Sequence, residues 1–347
     1  MSEKINEMVM LVEKPLVTFA LFAYNQEKFI TEAVEAAFAQ TYQPLEIIIS
    51  DDGSSDKTYE IIVSLVQRYQ GPHIVRAIQT ESNKGILSHV LSVVNKSQGA
   101  LIVVAAGDDI SEANRVILLV EAWRLTGSWA LMSRFTRINE VGKIELENCM
   151  LEMQGHKIRE YFMDGSAMRL LHGATAAYDR RAFELLKHDH EGVMTEDGVM
   201  SFLLHSYGKR VSLIEQSLVR YRSHSSSLSN SNQTESSAEE ILFSEKRGSG
   251  LAYSFVNLNK LLLNISDQLT EFNSFSHKKI LIKNIKKQTK FYIIWGSWID
   301  AGFLVRMRFL LTSFRGQDIR WMLPRVFGID AFIKIKLLIN KFRQESK

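Results

Sequence analysis

Three acidic stretches hold the residues whose types and spacing could do chemistry: SDDGSSD at 50–56, AGDD at 106–109 and TED at 195–197. Carboxylates at the exit of a buried strand suit a hard divalent cation, which favours oxygen ligands and keeps positions open for phosphate oxygens and water. A carboxylate also suits the activation of an alcohol, a poor nucleophile that must lose its proton as it attacks. Each stretch has a plainer reading. Asp and Ser beside Gly form turns through side-chain bonds to nearby amides, so Gly53 would turn the chain and Asp56 would cap a helix. GDD would be a turn before a helix starting near Ser111. Glu196 and Asp197 would be first-turn acids complementing a helix dipole, with Thr195 as N-cap.

The elements that must position these acids are legible from periodicity. The runs LVTFALFAY (16–24), LEIIIS (45–50), IVRAIQ (74–79), ALIVVAA (100–106) and SWALMS (128–133) read as strands. Between them lie EKFITEAVEAAFAQ, DKTYEIIVSLVQRY, GILSHVLSVVNK and EANRVILLVEAWRLTG, whose apolar residues recur as on one helix face. The alternation predicts an α/β fold with a doubly wound, mostly parallel sheet flanked by helices. Its strand ends share one edge, where AYNQE, SDDGSSD and AGDDIS gather and where open α/β sheets bind ligands. No GxGxxG follows the first strand, which argues against a dinucleotide site.

Beyond about residue 135 the pattern weakens, and residues 142–162 fit no element. Residues 172–186 read as a loop or short strand leading into a helix, 195–208 as a short helix, and 210–224 as strand segments ending in a basic loop. The Ser-rich stretch 225–240 reads as a linker, and the chain from 241 as helical, basic and rich in aromatics. Two domains are expected, 1–235 and 236–347.

A hydrophobic content of 46 % over 347 residues supports a substantial core. The formal charge of +3 conceals an asymmetry: 26 Lys and Arg against 35 Asp and Glu precede residue 276, and 16 against 4 follow. The two parts should therefore have different partners. Cys149 is the only cysteine, which excludes an intramolecular disulfide and argues against a cysteine-ligated metal. MSEKINEMVMLVEKP lacks the apolar core of a signal peptide, so a cytoplasmic location is expected. FYIIWGSWI at 291–299 is too short to span a bilayer.

The string VTFALFAYNQEKFITEAVEAAFAQTYQPLEIIISDDGSSDKT, followed by NKGI (83–86), ALIVVAAGDD (100–109), TED and YRSH (221–224), resembles the family 2 glycosyltransferases over about residues 15–230. The C-terminal third lies outside the resemblance. It implies the GT-A fold, with a helical basic C-terminal extension. It also implies that Ala23, Tyr24, Asn25 and Asp52, with Asp51 beside them, contact the nucleotide of a nucleotide-sugar donor. Asp52 would accept from a base N–H, which favours uracil and hence a UDP-sugar. Asn83 and Gly85 match an N-x-G turn, for which simple helix entry is an equal reading. The family's metal motif is D-x-D, and here the leading acid's place holds Ala106 or Gly107. The resemblance implies Mn2+ or Mg2+ on Asp109, Asp108 near the ribose or sugar, and His224 reaching the metal, as a histidine does in some relatives. It assigns the general base to Asp197, with Glu196 second. Arg222, with Arg180 and Arg181, could meet phosphate as planar donors, and HGAT (172–175) is similar to an acceptor-side loop.

Together these imply a metal-dependent inverting glycosyltransferase, a hexosyl- or N-acetylhexosaminyltransferase. Its acceptor would be a hydroxyl of a glycan or lipid-linked carrier in bacterial surface polysaccharide, such as lipopolysaccharide O-antigen or capsule, an assignment by family analogy. Two other classes stay open. One is a catalytically inactive GT-A-like module that binds a nucleotide or a partner. The other is a nucleotidyltransferase, which would want a Gly- and basic-rich loop where AYNQEKF stands. The tail segments KKILIKNIKKQTK, VRMRF, PRVFG and IKIKLLINKFRQ suit contact with an anionic inner-membrane surface. Nucleic acid would accept the same charge but is not the expected partner, and packing on the catalytic domain with solvated charges is the third reading.

Overall fold

The computed structural model describes residues 14–150, 171–186, 193 and 195–224, and beyond them 237, 241, 253, 256–267, 275–304 and 329–345. Four parallel strands, β1 (Val17–Ala23), β2 (Leu45–Asp51), β3 (Ile74–Gln79) and β4 (Leu101–Ala106), stand in the order β3-β2-β1-β4. They are joined through α1 (Ile30–Phe38), α2 (Thr58–Arg68) and α3 (Ile86–Lys96). Every residue of β1 and β2 is buried, because helices cover both faces of a parallel sheet. That burial explains why VTFALFA and LEIIISD read as continuous runs without alternation. The core under this half includes Phe19, Leu21, Ile47, Ile49, Val103 and Leu119.

Beyond β4 the sheet changes direction. β5 (Ile110–Ser111), α4 (Arg115–Thr126), β6 (Ala130–Ile138), β7 (Ile144–Cys149), β8 (Ala177–Asp179), α5 (Glu196–Ser206) and β9 (Val211–Arg222) complete the nine-stranded sheet. β8 runs antiparallel between β4 and β6, β9 runs parallel to β6, and β5 and β7 pair antiparallel with β9 and β6. Four local expectations change here. The unassigned stretch opens with β7, and residues 151–162 lie outside the described residues. The helix expected within 172–186 is instead two 3-10 segments, Gly173–Thr175 and Arg180–Leu185, flanking β8. β9 is one strand of 12 residues rather than separate segments. Between the GDD turn and α4 lies β5, too short to carry a periodicity.

At the N-terminal edge of the strands, Glu46 accepts from Thr18 Oγ1 (2.6 Å), the Gly99 amide (2.9 Å) and Arg76 Nη2 (3.0 Å). Burial pulls its pKa up, but the bonds from Thr18, Gln98 and Gly99 and the charge of Arg76 outweigh burial and hold it below the ordinary value. That carboxylate is a structural bolt at the edge opposite the acidic turns.

The chain forms two compact units, one of residues 1–159, 166–191 and 195–224, the other of 160–165, 192–194 and 225–347. The second contains α6 (Phe275–Ser297) and α7 (Ile329–Glu345). There Ile241, Trp298 and Phe332 are buried together, with the two rings edge-on at 5.7 Å. No helix among the described residues is long and apolar enough to cross a membrane.

Candidate active site

Parallel strands deliver β1, β2 and β4 to one edge, and the turns that follow are tied to each other. The Asp52 amide donates to the Ala23 carbonyl at 2.9 Å, and the Gly107 amide to the Phe22 carbonyl at 2.8 Å. Asn25 takes a positive φ of 52°, its Oδ1 accepting from the Ser55 amide at 2.9 Å. Asp56 accepts from the Thr58 amide at 3.0 Å, at the start of α2, and from the Glu27 amide at 3.1 Å. It thus bonds the first residue of the helix, one position before the N-cap Lys57, and also pins the β1 loop. Tyr24 projects from this loop, 46 % exposed.

The two acids after β2 have different surroundings. Asp51 accepts from the Ser54 amide and hydroxyl and from Gln79 Nε2, which closes the turn at Gly53. Gly53 is required there: its φ is +71°, and a Cβ would lie 2.9 Å from Ser82 Cα. Asp51 therefore sits inside the turn, fully buried. Asp52, 4 % exposed, accepts from Thr80 Oγ1 at 2.9 Å and from the Lys84 amide at 3.2 Å to each oxygen. Asn83 accepts from the Gly85 amide at 2.9 Å, and Gly85 leads straight into α3. Those two residues shape the loop against Asp52 and start the helix.

The GDD turn is held by the end of β9. Asp109 is buried, its Oδ1 accepting from the Arg222 amide at 2.8 Å, while its Oδ2 has no hydrogen-bond partner among the described residues. Burial first, and then the charge of Asp108, push the Asp109 carboxyl well above the usual carboxylate range. His224 Nε2 lies 3.0 Å from Asp108 Oδ2. His224 thus pairs with Asp108, while β9 takes up one oxygen of Asp109, the acid expected at the metal. Among the described residues no cluster of three or more His, Cys, Asp or Glu is gathered for an ion. One nitrogen and one carboxylate, His224 and Asp108, fit a divalent cation completed by phosphate oxygens and water.

The three arginines expected at phosphate bond within the fold. Arg222 is 1 % exposed, and its guanidinium donates to the carbonyls of Asp108 (2.9 Å) and Glu140 (2.9 Å) and to Glu32 (3.1 Å), above the Phe29 ring. It clamps loops together rather than facing a ligand. Arg180 donates to Gly99 and Val94 carbonyls, and Arg181 pairs with Asp179, all at the strand edge opposite the acidic turns.

Thr195 caps α5 as its sequence predicts, accepting from the Gly198 amide at 3.0 Å. Asp197, partly exposed, accepts through Oδ2 from the Gly173 amide at 3.2 Å, and through Oδ1 from Thr195 and Gly198. Gly173 opens the HGAT turn beside the exit of β4, where the Val104 amide donates to the Ala176 carbonyl. Asp197 therefore faces the same sheet edge as Asp52 and Asp108. Glu196 points inward, 5 % exposed, with the Tyr178 hydroxyl donating at 3.4 Å. Its Oε1 would lie only 2.7 Å from a Cβ at position 173, so a larger residue there would have to displace the Glu196 side chain. Burial, reinforced by the charge of Asp197, raises the Glu196 pKa to about 8. Glu196 is thus a proton-bearing packing residue at neutral pH, and Asp197 is the one open to solvent.

Two residues escaped the sequence. Arg115, fully buried, donates to Ser111 Oγ and to the carbonyls of Val104 and Ala174, so one guanidinium ties β4, β5 and the HGAT turn together. Burial lowers its pKa to about 9. His89 lies buried on α3 against Ser50. Each interrupts a helix face that is otherwise apolar, and that interruption was the only signal available.

Residues 18–186 match the family described as Glycosyl transferase family 2. This is a family 2 glycosyltransferase domain. Chondroitin synthase of Escherichia coli is 38 % identical over 122 residues, which is 35 % of this chain and 17 % of that protein. The chain spans about a quarter of the length of the mycobacterial relatives it also matches. S. aureus TarS, in a crystal structure with UDP, superposes with a TM-score of 0.52 at 12 % identity, covering 95 % of this chain and 92 % of that one. A mannosyltransferase from Pyrobaculum calidifontis, in complex with GDP-Man and Mn2+, gives 0.51 at 14 % identity, covering 94 % and 88 %. These likenesses carry the GT-A fold of the glycosyltransferase domain.

The raised Glu196 pKa has a measurable sign. A carboxyl whose folded pKa is about 8 favours folding below its unfolded value near 4.5, and that advantage is lost as pH rises toward 8. The melting temperature of Glu196→Gln relative to the wild type should therefore climb between pH 5 and pH 8. A difference that stays flat across that range would show Glu196 ionised throughout.

Proposed function

We propose that this glycosyltransferase moves a sugar from a nucleotide-sugar donor, a UDP-sugar first, to a hydroxyl of a glycan or lipid-linked acceptor, inverting the anomeric centre. The observation that carries the reading is the convergence of Asp52, the Asp108–His224 pair and Asp197 on one sheet edge. Asp52 is the nucleobase acceptor. Asp197 is the general base: it takes the acceptor's proton as that oxygen attacks the anomeric carbon and the bond to the diphosphate breaks on the opposite face. The Gly173 amide and Thr195 hydroxyl orient its carboxylate. Mn2+ or Mg2+ on Asp108 and His224, with Asp109 behind, would neutralise charge developing on the diphosphate. TarS with UDP and the mannosyltransferase with GDP-Man and Mn2+ lend support to the nucleotide and metal parts of the reading.

We assign residues 1–235 to transfer and 236–347 to contact with the anionic inner face of a bacterial membrane, where a lipid-linked precursor of a surface polysaccharide would be met. On α6, Lys279, Lys283, Lys286 and Lys290 are all exposed at helical spacing and form one stripe, while Ile285, Tyr292 and Gly296 are buried. The sequence of α6 contains no Asp or Glu. A basic stripe separate from a packed apolar face fits an anionic lipid surface.

Asp197→Asn should cut transfer by about 10²–10⁴-fold while nucleoside-diphosphate affinity stays within about twofold, and NMR of the wild-type product should show inversion. Retention of configuration, or full activity in Asp197→Asn, would remove Asp197 from the base role. Changing the four α6 lysines to Glu should weaken sedimentation with phosphatidylglycerol vesicles by about 100-fold or more and leave transfer to a soluble acceptor intact. Equal sedimentation of wild type and variant would contradict the membrane assignment.

A further inference from the structure

The buried face of α3 is apolar at Leu87, Val90, Val93 and Val94, yet it includes His89. A polar ring placed among such residues costs free energy unless it is hydrogen-bonded. His89 is 2 % exposed, with Nε2 2.5 Å from Ser50 Oγ and Nδ1 4.0 Å from Asp52 Oδ2. The edge of its ring meets Phe22, one residue before the end of β1, with centroids 5.0 Å apart. The imidazole thus fills the space behind the β1 and β2 exits, under the acid expected to read the nucleobase.

The surroundings choose its tautomer. Burial, working against the nearby charges of Asp52 and Asp51, holds the His89 pKa below its ordinary value, so the ring is neutral and carries one N–H. If Nε2 held that proton, a bare Nδ1 lone pair would face a carboxylate in a dry site, which is repulsive. With the proton on Nδ1, the positive end of the N–H faces Asp52, and the Ser50 hydroxyl donates to Nε2. The second arrangement bonds Nε2 and turns the Nδ1–H dipole toward the carboxylate 4.0 Å away.

We propose that His89 is a positioning residue for the donor, which through Nδ1–H keeps Asp52 oriented to accept from a nucleobase without itself touching the nucleotide. Asp52 Oδ1 has donors in Thr80 and Lys84, whereas Oδ2 has the shared Lys84 amide and this ring. Removing the ring leaves the second oxygen with the Lys84 amide alone. The proposal rests on the donor reading given above, and its first test does not depend on that reading.

Ring-nitrogen NMR of the full chain, with the His89 signals assigned by their loss in His89→Asn, should show protonated Nδ1 and bare Nε2. Asp52→Asn should move the Nδ1 signal. A proton on Nε2, or ring signals indifferent to Asp52→Asn, would overturn the coupling. In donor kinetics, His89→Leu should raise KM for the nucleotide sugar about 10-fold, the worth of one charge-assisted contact, with a much smaller change in kcat. His89→Asn, which restores an N–H at the Nδ1 position, should recover most of the loss. Parallel loss of kcat, KM and melting temperature in His89→Leu without recovery in His89→Asn would reduce His89 to core packing. Ring coupling to Asp52 in a chain that binds no nucleoside diphosphate would overturn the donor reading, and the donor role of His89 with it.

Discussion

The bond from the Arg222 amide to Asp109 Oδ1 is the joint on which the candidate site depends. It ties the last residue of β9 to the turn after β4, two elements more than a hundred residues apart in sequence. Once that contact is fixed, His224 follows two residues later and meets Asp108, and the Arg222 side chain reaches back to bind Asp108, Glu140 and Glu32. A buried carboxylate that loses its donor is left uncompensated, which is why such joints are costly to break. The same bond turns Asp109 inward and leaves Asp108 as the carboxylate facing the site.

A comparable division separates Glu196 from Asp197. Adjacent residues at a helix start point in different directions, so one is driven under the HGAT turn and keeps its proton, while the other stays partly exposed with its oxygens oriented by Thr195 and Gly173. At three places along one edge, then, a pair of acids is split into a residue taken up by the turn or core and a residue assigned here to substrate. Asp51 and Asp52 form the third such pair. Arg115 connects β4 and β5 to the HGAT turn, so the strands flanking Asp108 and the turn that bonds Asp197 share one buried support.

Much of this was readable from sequence because it is local. The strand runs from Val17 to Ala106, the helices between them, the Thr195 cap and the Asp56 bond to the start of α2 all follow from periodicity or turn chemistry. What stayed hidden depends on pairing between distant segments. β5, β7 and β8 are short strands whose existence is set by their partners rather than by their own residues. The choice of Asp108 over Asp109 as the partner of His224, and the burial of Arg222, follow from the path of β9. His89 and Arg115 stand as single polar positions on apolar helix faces, and only the packed structure supplies what they bond.

The most direct test of the central claim is calorimetric titration of the full chain with UDP, GDP, CDP and dTDP, each with and without Mn2+, in wild type and Asp52→Ala. The account predicts metal-dependent binding of UDP that exceeds binding of CDP and is weakened in Asp52→Ala, because uracil presents a ring N–H to that carboxylate and cytosine does not. A folded chain that binds none of the four, or whose UDP affinity is indifferent to Asp52, would contradict it.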